Sequence, residues 1–508
     1  MSDVKHTRRF RLALQTGAAL ALLAPSIAAR AQDSGPAGRE LDETRTVTLA
    51  VEHNPALAAA IIDLERAEQQ VLGEQARYGF VLKLDQQLAR LASPTLSGSG
   101  VSNPSSTSLV LGGELQRHLE WGTDLSLRVE GQAQTSQSSS FTQPGTLVDV
   151  GPGYSTSVRM GFSQPLLRGA GRDVSRASLD QAEVALASAK VARQRVASEV
   201  LQGALSAYWE LYYASRALDI QQQSLQLAEQ QRDQAAARVA SGDLAPVELL
   251  TFESRVAALH EDLASAEAER ESRAIALGQA IGVVDGARDL RARAGDQPSV
   301  SVDTTDALRA AALASSYRVL ELREAMHLAE VQARTAAEPL RPRLDLTGYV
   351  QAQGLGNQDL APAFSGLASS DGVSAMVGLS FETPLDGTQR ESEAARARLA
   401  VQSAQEQLNQ AEQAVVADLD TARARAQAAA RRTELSAQTL SIVQRQVVAE
   451  EARFATGSST ALDVSQAQDQ LRASSLRELR ARVDSTQLRL QLLHLTGRLL
   501  EVYGPRAG

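Results

Sequence analysis

The residues whose types and spacing could do chemistry are few, and they are acidic. Asp463 stands three residues after Thr460, and Glu248 stands two after Pro246. A threonine followed at that distance by an acid is capping-box spacing, and a carboxylate in a first helical turn is favoured by the helix dipole. Two chemistries are open to such a group: closing the start of a helix, or attracting cations where several copies form a ring. The six histidines, His6, His53, His118, His260, His327 and His494, show no metal-ligand spacing. The 508 residues include no cysteine, which excludes a disulfide framework, a thiolate metal site, a cysteine nucleophile and a lipid-bearing cysteine. No phosphate loop, nucleophile pairing or cofactor pattern stands where a pocket would form, so neither an enzyme nor a cofactor is indicated.

The elements that must position these acids occur twice. Arg238-Val239-Ala240-Ser241-Gly242, followed by Pro246 and Glu248, returns as Arg453-Phe454-Ala455-Thr456-Gly457, followed by Ala461 and Asp463. Long helical patterns flank each glycine, so each copy reads as a helical hairpin. Gln164-Pro165-Leu166 returns as Thr383-Pro384-Leu385, each ending a short alternating strand before a long helix. A duplicated strand, long helix, turn and helix is one supersecondary unit used twice in one wall.

Residues 1–31 read as a secretory signal: Lys5, Arg8, Arg9 and Arg11 precede an apolar run around Leu20, and Ala29-Arg30-Ala31 is a small-x-small cleavage site. The first repeat then occupies 32–304 and the second 305–508. No later stretch is apolar for the roughly 18 residues a spanning helix needs. A mature chain that crosses a membrane must therefore do so as a closed β-barrel. The formal charge of -9, from 51 Lys+Arg against 60 Asp+Glu, leaves no basic footprint for nucleic acid. Aromatic content of 4% is too small for a thick core and suits long coiled helices.

Along the chain, a helix is expected at 46–79, with Asn54-Pro55 near its start. Strands follow around Leu82 and Leu84, at 109–120 and 124–133, and at Val158, Met160 and Phe162, with polar loops at 93–108 and 132–153. A helix of nearly seventy residues, roughly 100 Å long, covers 172–240. Leu179, Ala182, Leu186 and Ala189 form one coiled-coil seam and Val184 and Val191 mark another, as a cylinder of helices requires. A shorter helix runs from Pro246 to about 282, and a linker with Gly286, Gly295 and Pro298 separates the halves. The second half offers a helix at 306–337, strands around Leu346 and Leu379 with a loop at 354–372 between them, a long helix at 388–456 and a shorter one at 461–496. The two short helices of each half together match the long one, so end-to-end stacking gives a tube of even height.

On these duplicated Arg-x-x-x-Gly turns, proline joints and Asn54-Pro55, the chain resembles the TolC family of outer-membrane efflux and secretion channels. The resemblance covers nearly all of the mature sequence. It implies an α+β membrane protein: a homotrimer sharing one outer-membrane β-barrel, continued by a long periplasmic α-helical coiled-coil barrel. It also implies a passive conduit without catalysis, which works with a periplasmic adaptor and an inner-membrane transporter. The docking tip then maps to Val239, Ala240, Ser241, Gly242, Asp243 and Leu244, and to Phe454, Ala455, Thr456, Gly457, Ser458 and Ser459. The gate position maps to Asp463, with Glu248 its counterpart. This chain has Phe454, Ser459 and Gln466 where some members carry a tyrosine, an arginine and a second aspartate, a departure that weakens any hydrogen-bonded latch there.

The first half carries more β pattern than that plan requires. Residues 109–120 and 124–133 read as an extra hairpin that either joins the wall or projects as a loop. In a trimer the wall then has eighteen strands or twelve. Trp121 and Tyr154 read as aromatics at a membrane interface, with Trp121 equally a turn residue beside Gly122. A periplasmic or surface coiled-coil protein without a channel is the alternative reading; it leaves the paired strands unused.

Overall fold

The computed structural model describes residues 40–504, apart from 98–99, 103, 140–146, 294–304 and 370–371. The expected signal peptide, residues 1–31, and much of the linker at 294–304 lie outside the described residues. The first half comprises β1 (Glu40–Leu41), α1 (Glu43–His53), α2 (Pro55–Ala76), β2 (Phe80–Ala92), the small pair β3 (Thr95–Ser97) and β4 (Gly100–Ser102), β5 (Ser105–His118), β6 (Asp124–Ser139) and β7 (Leu147–Pro165). It continues with α3 (Arg172–Ser175), α4 (Ala177–Ala240), α5 (Pro246–Ala280) and β8 (Arg291–Ala292). The second half comprises α6 (Thr305–Ser315), α7 (Tyr317–Ala337), β9 (Arg343–Asn357), α8 (Ala361–Ser365), β10 (Val373–Glu382), α9 (Thr388–Ala455), α10 (Ala461–Leu495) and α11 (Leu499–Tyr503).

Six strands form one antiparallel sheet in the order β10-β9-β7-β6-β5-β2. Its alternation is continuous across strands. Leu82, Leu115, Leu127, Met160 and Val350 share one cross-strand row, and Lys83, Glu114, Arg128, Arg159 and Gln351 share the next on the opposite face. One face is therefore apolar and the other polar. Gly348 leaves room on the apolar face for the Phe162 ring, whose Cε1 lies only 2.6 Å from where a Cβ would stand.

The strands are longer than the hydrophobic pattern suggests. The expected loop at 93–108 contains β3, β4 and the start of β5, and much of the expected loop at 132–153 belongs to β6 and β7. Their serines and glutamines lack apolar alternation, yet the backbone ladder continues through them. The expected loop at 354–372 is likewise shortened by β9 and by α8, whose Ala363 carbonyl accepts from Thr156 Oγ1 at 2.6 Å.

Below the sheet, α2 and α5 stack along α4, and α7 and α10 along α9. The seam of Leu179 and Ala182 buries against Val71 of α2, and that of Leu408 and Val415 against Val319 of α7. Small residues at these seams let helices approach on two sides at once.

Both expected continuous helices are broken where the short pairs meet. At Asn54, Oδ1 accepts from Ala56 N at 2.9 Å to cap α2, while Nδ2 donates to Ala280 O at 2.9 Å at the end of α5. Pro55 supplies the first turn of the new helix, as proline favours. In the second half the break falls at Ser316, and Ser315 Oγ donates to Thr496 O at 2.8 Å at the end of α10.

Around this level lies the largest core. Leu201, Leu205, Tyr208 and Leu211 of α4 are buried by α1, the ends of α5 and α10, α11 and the parallel pair β1–β8. Each large side chain so buried stabilises by about 1.5–3 kcal/mol. The start of the linker between the halves, with Ala287 and Leu290, is packed here rather than free.

Candidate functional site

At the far end of the helices, the two hairpin turns adopt the same geometry. Gly242 has φ +84° and Gly457 has φ +77°, the left-handed region that glycine enters without a Cβ penalty. Gly242 N donates to Val239 O at 3.1 Å and Asp243 N to Arg238 O at 2.8 Å. Gly457 N donates to Phe454 O at 3.0 Å and Ser458 N to Arg453 O at 2.9 Å. Both are Schellman closures that satisfy the last helical carbonyls. Ala240, Ser241, Gly242, Asp243, Ala455, Thr456, Gly457 and Ser458 are exposed, whereas Val239, Leu244, Phe454 and Ser459 are half-buried.

The two turns are neighbours. Phe454 meets Phe252 edge-on with ring centroids 6.4 Å apart, and the Arg238 guanidinium lies 5.3 Å from the Phe454 centroid. Leu244, Leu249 and Ala461 complete a small core beside Phe252. Phe454 therefore faces the first hairpin, which makes it a contact between the tips.

Asp463 closes a capping box with Thr460. Its carboxylate accepts from Thr460 Oγ1 at 2.7 Å and Thr460 N at 3.0 Å, and Ser459 Oγ stands 3.3 Å away. Hydrogen bonds from the Thr460 side chain and backbone hold its pKa below the usual carboxylate range, so it is ionised and exposed at the helix start. Glu248 also lies in a first turn, half-buried, but Ala245 at its N-cap makes no side-chain hydrogen bond. The two repeats thus differ in how their returning helices begin.

Sequence reasoning missed a polar network one step inward. Arg255 of α5 is buried, and its guanidinium donates to Gln468 of α10; Gln468 Nε2 donates onward to Glu451 Oε1 at 2.7 Å. Arg255 also pairs with Asp469 at 3.5 Å, and Arg472 bonds Asp262 and Gln221. Burial lowers the Arg255 pKa from its ordinary value. Periodicity places these residues on helix faces, but nothing in it shows that the faces of two distant hairpins meet.

At the opposite end, the apolar face of the sheet is uncovered: Leu84 is 78% exposed, Met160 66%, Val377 74% and Leu379 68%. The polar face forms a trough lined by Glu114, Gln116, Ser126, Arg159, Thr347 and Tyr349. Within it Arg128 pairs with Glu130 at 2.9 Å, Asp85 at 3.1 Å and Glu114 at 3.5 Å. Arg159 reaches Gln351 at 2.6 Å and stacks on Tyr349. An alternating sheet with an exposed apolar face and a wet, charged face is what a barrel wall between lipid and water requires.

Where sheet meets helices, the β5–β6 turn rests on Gly171 and α3, just ahead of the long helix α4. Gly171 N donates to Trp121 O at 3.3 Å, Glu120 pairs with Arg172 at 2.8 Å, and His118 bridges Asp124 at 2.7 Å and Ser175 Oγ at 3.0 Å. This last chain has the spacing of a hydrolytic triad. The nearby amides of Ser175 and Arg176 are, however, spent on Gly171 O and Arg172 O, so they offer no oxyanion stabilisation, and the cluster acts as a pin. Trp121 is 69% exposed beside it. Among the described residues no group of acids and histidines could hold a metal ion, and no single helix is long and apolar enough to cross a membrane.

Residues 308–498 match the model of the outer membrane efflux protein family. No curated protein sequence matches the chain. Among solved structures, the chain is similar to the outer membrane protein VceC of Vibrio cholerae, with a TM-score of 0.61 and 17% identity over 90% of this chain and 96% of that one. It is similar to the CmeC outer membrane channel of Campylobacter jejuni, with a TM-score of 0.62 and 12% identity over 90% and 86% of the two chains. The open state of the MtrE outer membrane channel of Neisseria gonorrhoeae gives a TM-score of 0.60 and 18% identity over 91% and 90%.

Proposed function

Proceeding from the outer membrane efflux protein domain in the second half of the chain and from the fold shared with outer-membrane channels, we infer that the protein is a passive, TolC-like outer-membrane channel for efflux or type I secretion. The observation that carries this reading is the joining of two structures in one chain. A sheet with an exposed apolar face and a charged trough continues through proline and glycine joints into helices packed side by side. The sheet belongs in outer-membrane lipid, and the helices descend into the periplasm.

The described residues of one chain supply six strands to the sheet, fewer than the eight of the smallest barrels, so the wall needs further copies. A homotrimer is the assembly proposed. The exposed turn residues Ala240 to Asp243 and Ala455 to Ser458 are the surface for a periplasmic adaptor, which couples the channel to an inner-membrane transporter. Asp463, ionised at a helix start near the tip, is the residue proposed to form an acidic ring with its copies, and Glu248 is the weaker candidate. Energy comes from the transporter; the channel itself performs no chemistry.

The test is the native mass of detergent-extracted protein, its membrane fraction, and conductance in planar bilayers. A trimer in the outer-membrane fraction that conducts ions is the expected result. A soluble monomer without conductance would sink the channel reading.

A further inference from the structure

The inserted hairpin β5–β6 has no free edge. β5 is paired with β2 from Phe80↔Arg117 to Ala92↔Ser105, and β6 with β7 from Asp124↔Ser163 onward. Its side chains keep the phase of the surrounding sheet, with Leu115 and Leu127 on the apolar face and Glu114 and Arg128 in the trough. The turn that joins the two strands is tied by Trp121, Glu120 and His118 to Gly171 and to α3, the short helix just ahead of α4. A projecting loop would show none of the three features.

We propose that β5 and β6 are wall strands of the shared barrel, so that three copies close a ring of eighteen strands around a passage wider than a twelve-stranded plan would give. The proposal rests on the trimeric membrane channel inferred above. The sheet leaves β2 and β10 as its edges, and with six antiparallel strands these run in opposite directions. The β10 edge of one copy can therefore pair antiparallel with the β2 edge of the next, without reversing the pattern. At about 4.8 Å between strands and about 40° of tilt, eighteen strands enclose a ring roughly 36 Å across between backbones, against roughly 24 Å for twelve. In this ring the hairpin's Arg128, held among three carboxylates, faces water rather than lipid.

The chain has no cysteine, so single cysteines report on each face without background. Ser126→Cys and Leu127→Cys place adjacent thiols of the hairpin on opposite faces, Glu130→Cys and Val129→Cys form a second such pair, and Leu379→Cys marks the apolar face outside the hairpin. Each full-length variant is reconstituted in vesicles, labelled with a charged, water-soluble maleimide, and separately with a bimane fluorophore quenched by brominated acyl chains. The expected result is labelling at Ser126→Cys at least tenfold faster than at Leu127→Cys, with bimane at Leu127→Cys quenched as strongly as at Leu379→Cys. Equal labelling of both hairpin faces without quenching, while Leu379→Cys stays protected, would overturn the wall assignment and leave the channel standing. Exposure of Leu379→Cys as well would overturn both. A native mass of two copies would overturn the count of eighteen.

Discussion

Arg255 in the first hairpin donates a hydrogen bond to Gln468 in the second, across 213 residues of chain and with almost no access to solvent. Gln468 passes the connection to Glu451 on the long helix beside it. The two returning helices and the second long helix are thus held together just inside the tip.

Replacing Arg255 with alanine should leave the buried Gln468 Oε1 without its donor, at a cost of about 1–3 kcal/mol for the unmet acceptor. The expected readout is faster amide exchange in α5 and α10 near the tip, with the sheet unchanged. Exchange no faster than in the parent protein would show that the network does not hold the hairpins.

Gly242→Ala and Gly457→Ala should each destabilise the hairpin by about 1–2 kcal/mol, the cost of a left-handed conformation for a residue with a Cβ. Nothing lies within 4 Å of the point a Cβ would occupy at either glycine, so the penalty is conformational and not steric. Asparagine at the same positions should lose less. Thermal unfolding of the trimer checks the order.

A bulky charge at an exposed turn, Ala240→Arg or Ala455→Glu, should abolish transport while native mass still reports the trimer. Normal transport in both variants would remove the docking assignment from the turns.

Asp463 gives a pH dependence of known sign. Its pKa is lowered in the folded state by the Thr460 side chain and backbone. Its contribution is therefore present above the unfolded carboxyl pKa of about 3.9 and is lost as pH falls through the folded value. Amide exchange in the first turn of α10 should quicken below about pH 4 in the parent and be insensitive to that step in Asp463→Asn.

Leu127→Arg or Phe162→Arg should each cost up to about 2–4 kcal/mol at mid-bilayer and impair assembly in the membrane. Unimpaired assembly of either variant, followed by outer-membrane fractionation, would place that position away from lipid.

The duplication made much of the fold legible, because glycine turns and proline joints are local signals. Residues 172–240 and 388–456 need no partner to be read as helices. The ends of strands were less visible: Gln132, Gln134 and Ser136 pair through backbone amides whose identity a hydrophobic pattern does not carry. The break at Ser316 has no proline to announce it, and is set by the end of α10 arriving alongside. Low aromatic content suggested no sizeable core, yet Tyr208 and Trp209 sit together where six elements converge on α4. The contact of Phe454 with Phe252 and the Arg255 network depend on the two hairpins lying side by side, information that resides in tertiary packing.

The β5–β6 pair lies between two strands, β2 and β7, that both lead into helices, while its own turn leads into none. It is thus a graft into an outward-facing connection, folded back down into the sheet. A barrel's calibre can be altered by such a graft while the order, length and phase of every helix beneath it stay the same. Bore at the membrane and fit at the tip are then separable properties of one chain, open to change independently of each other.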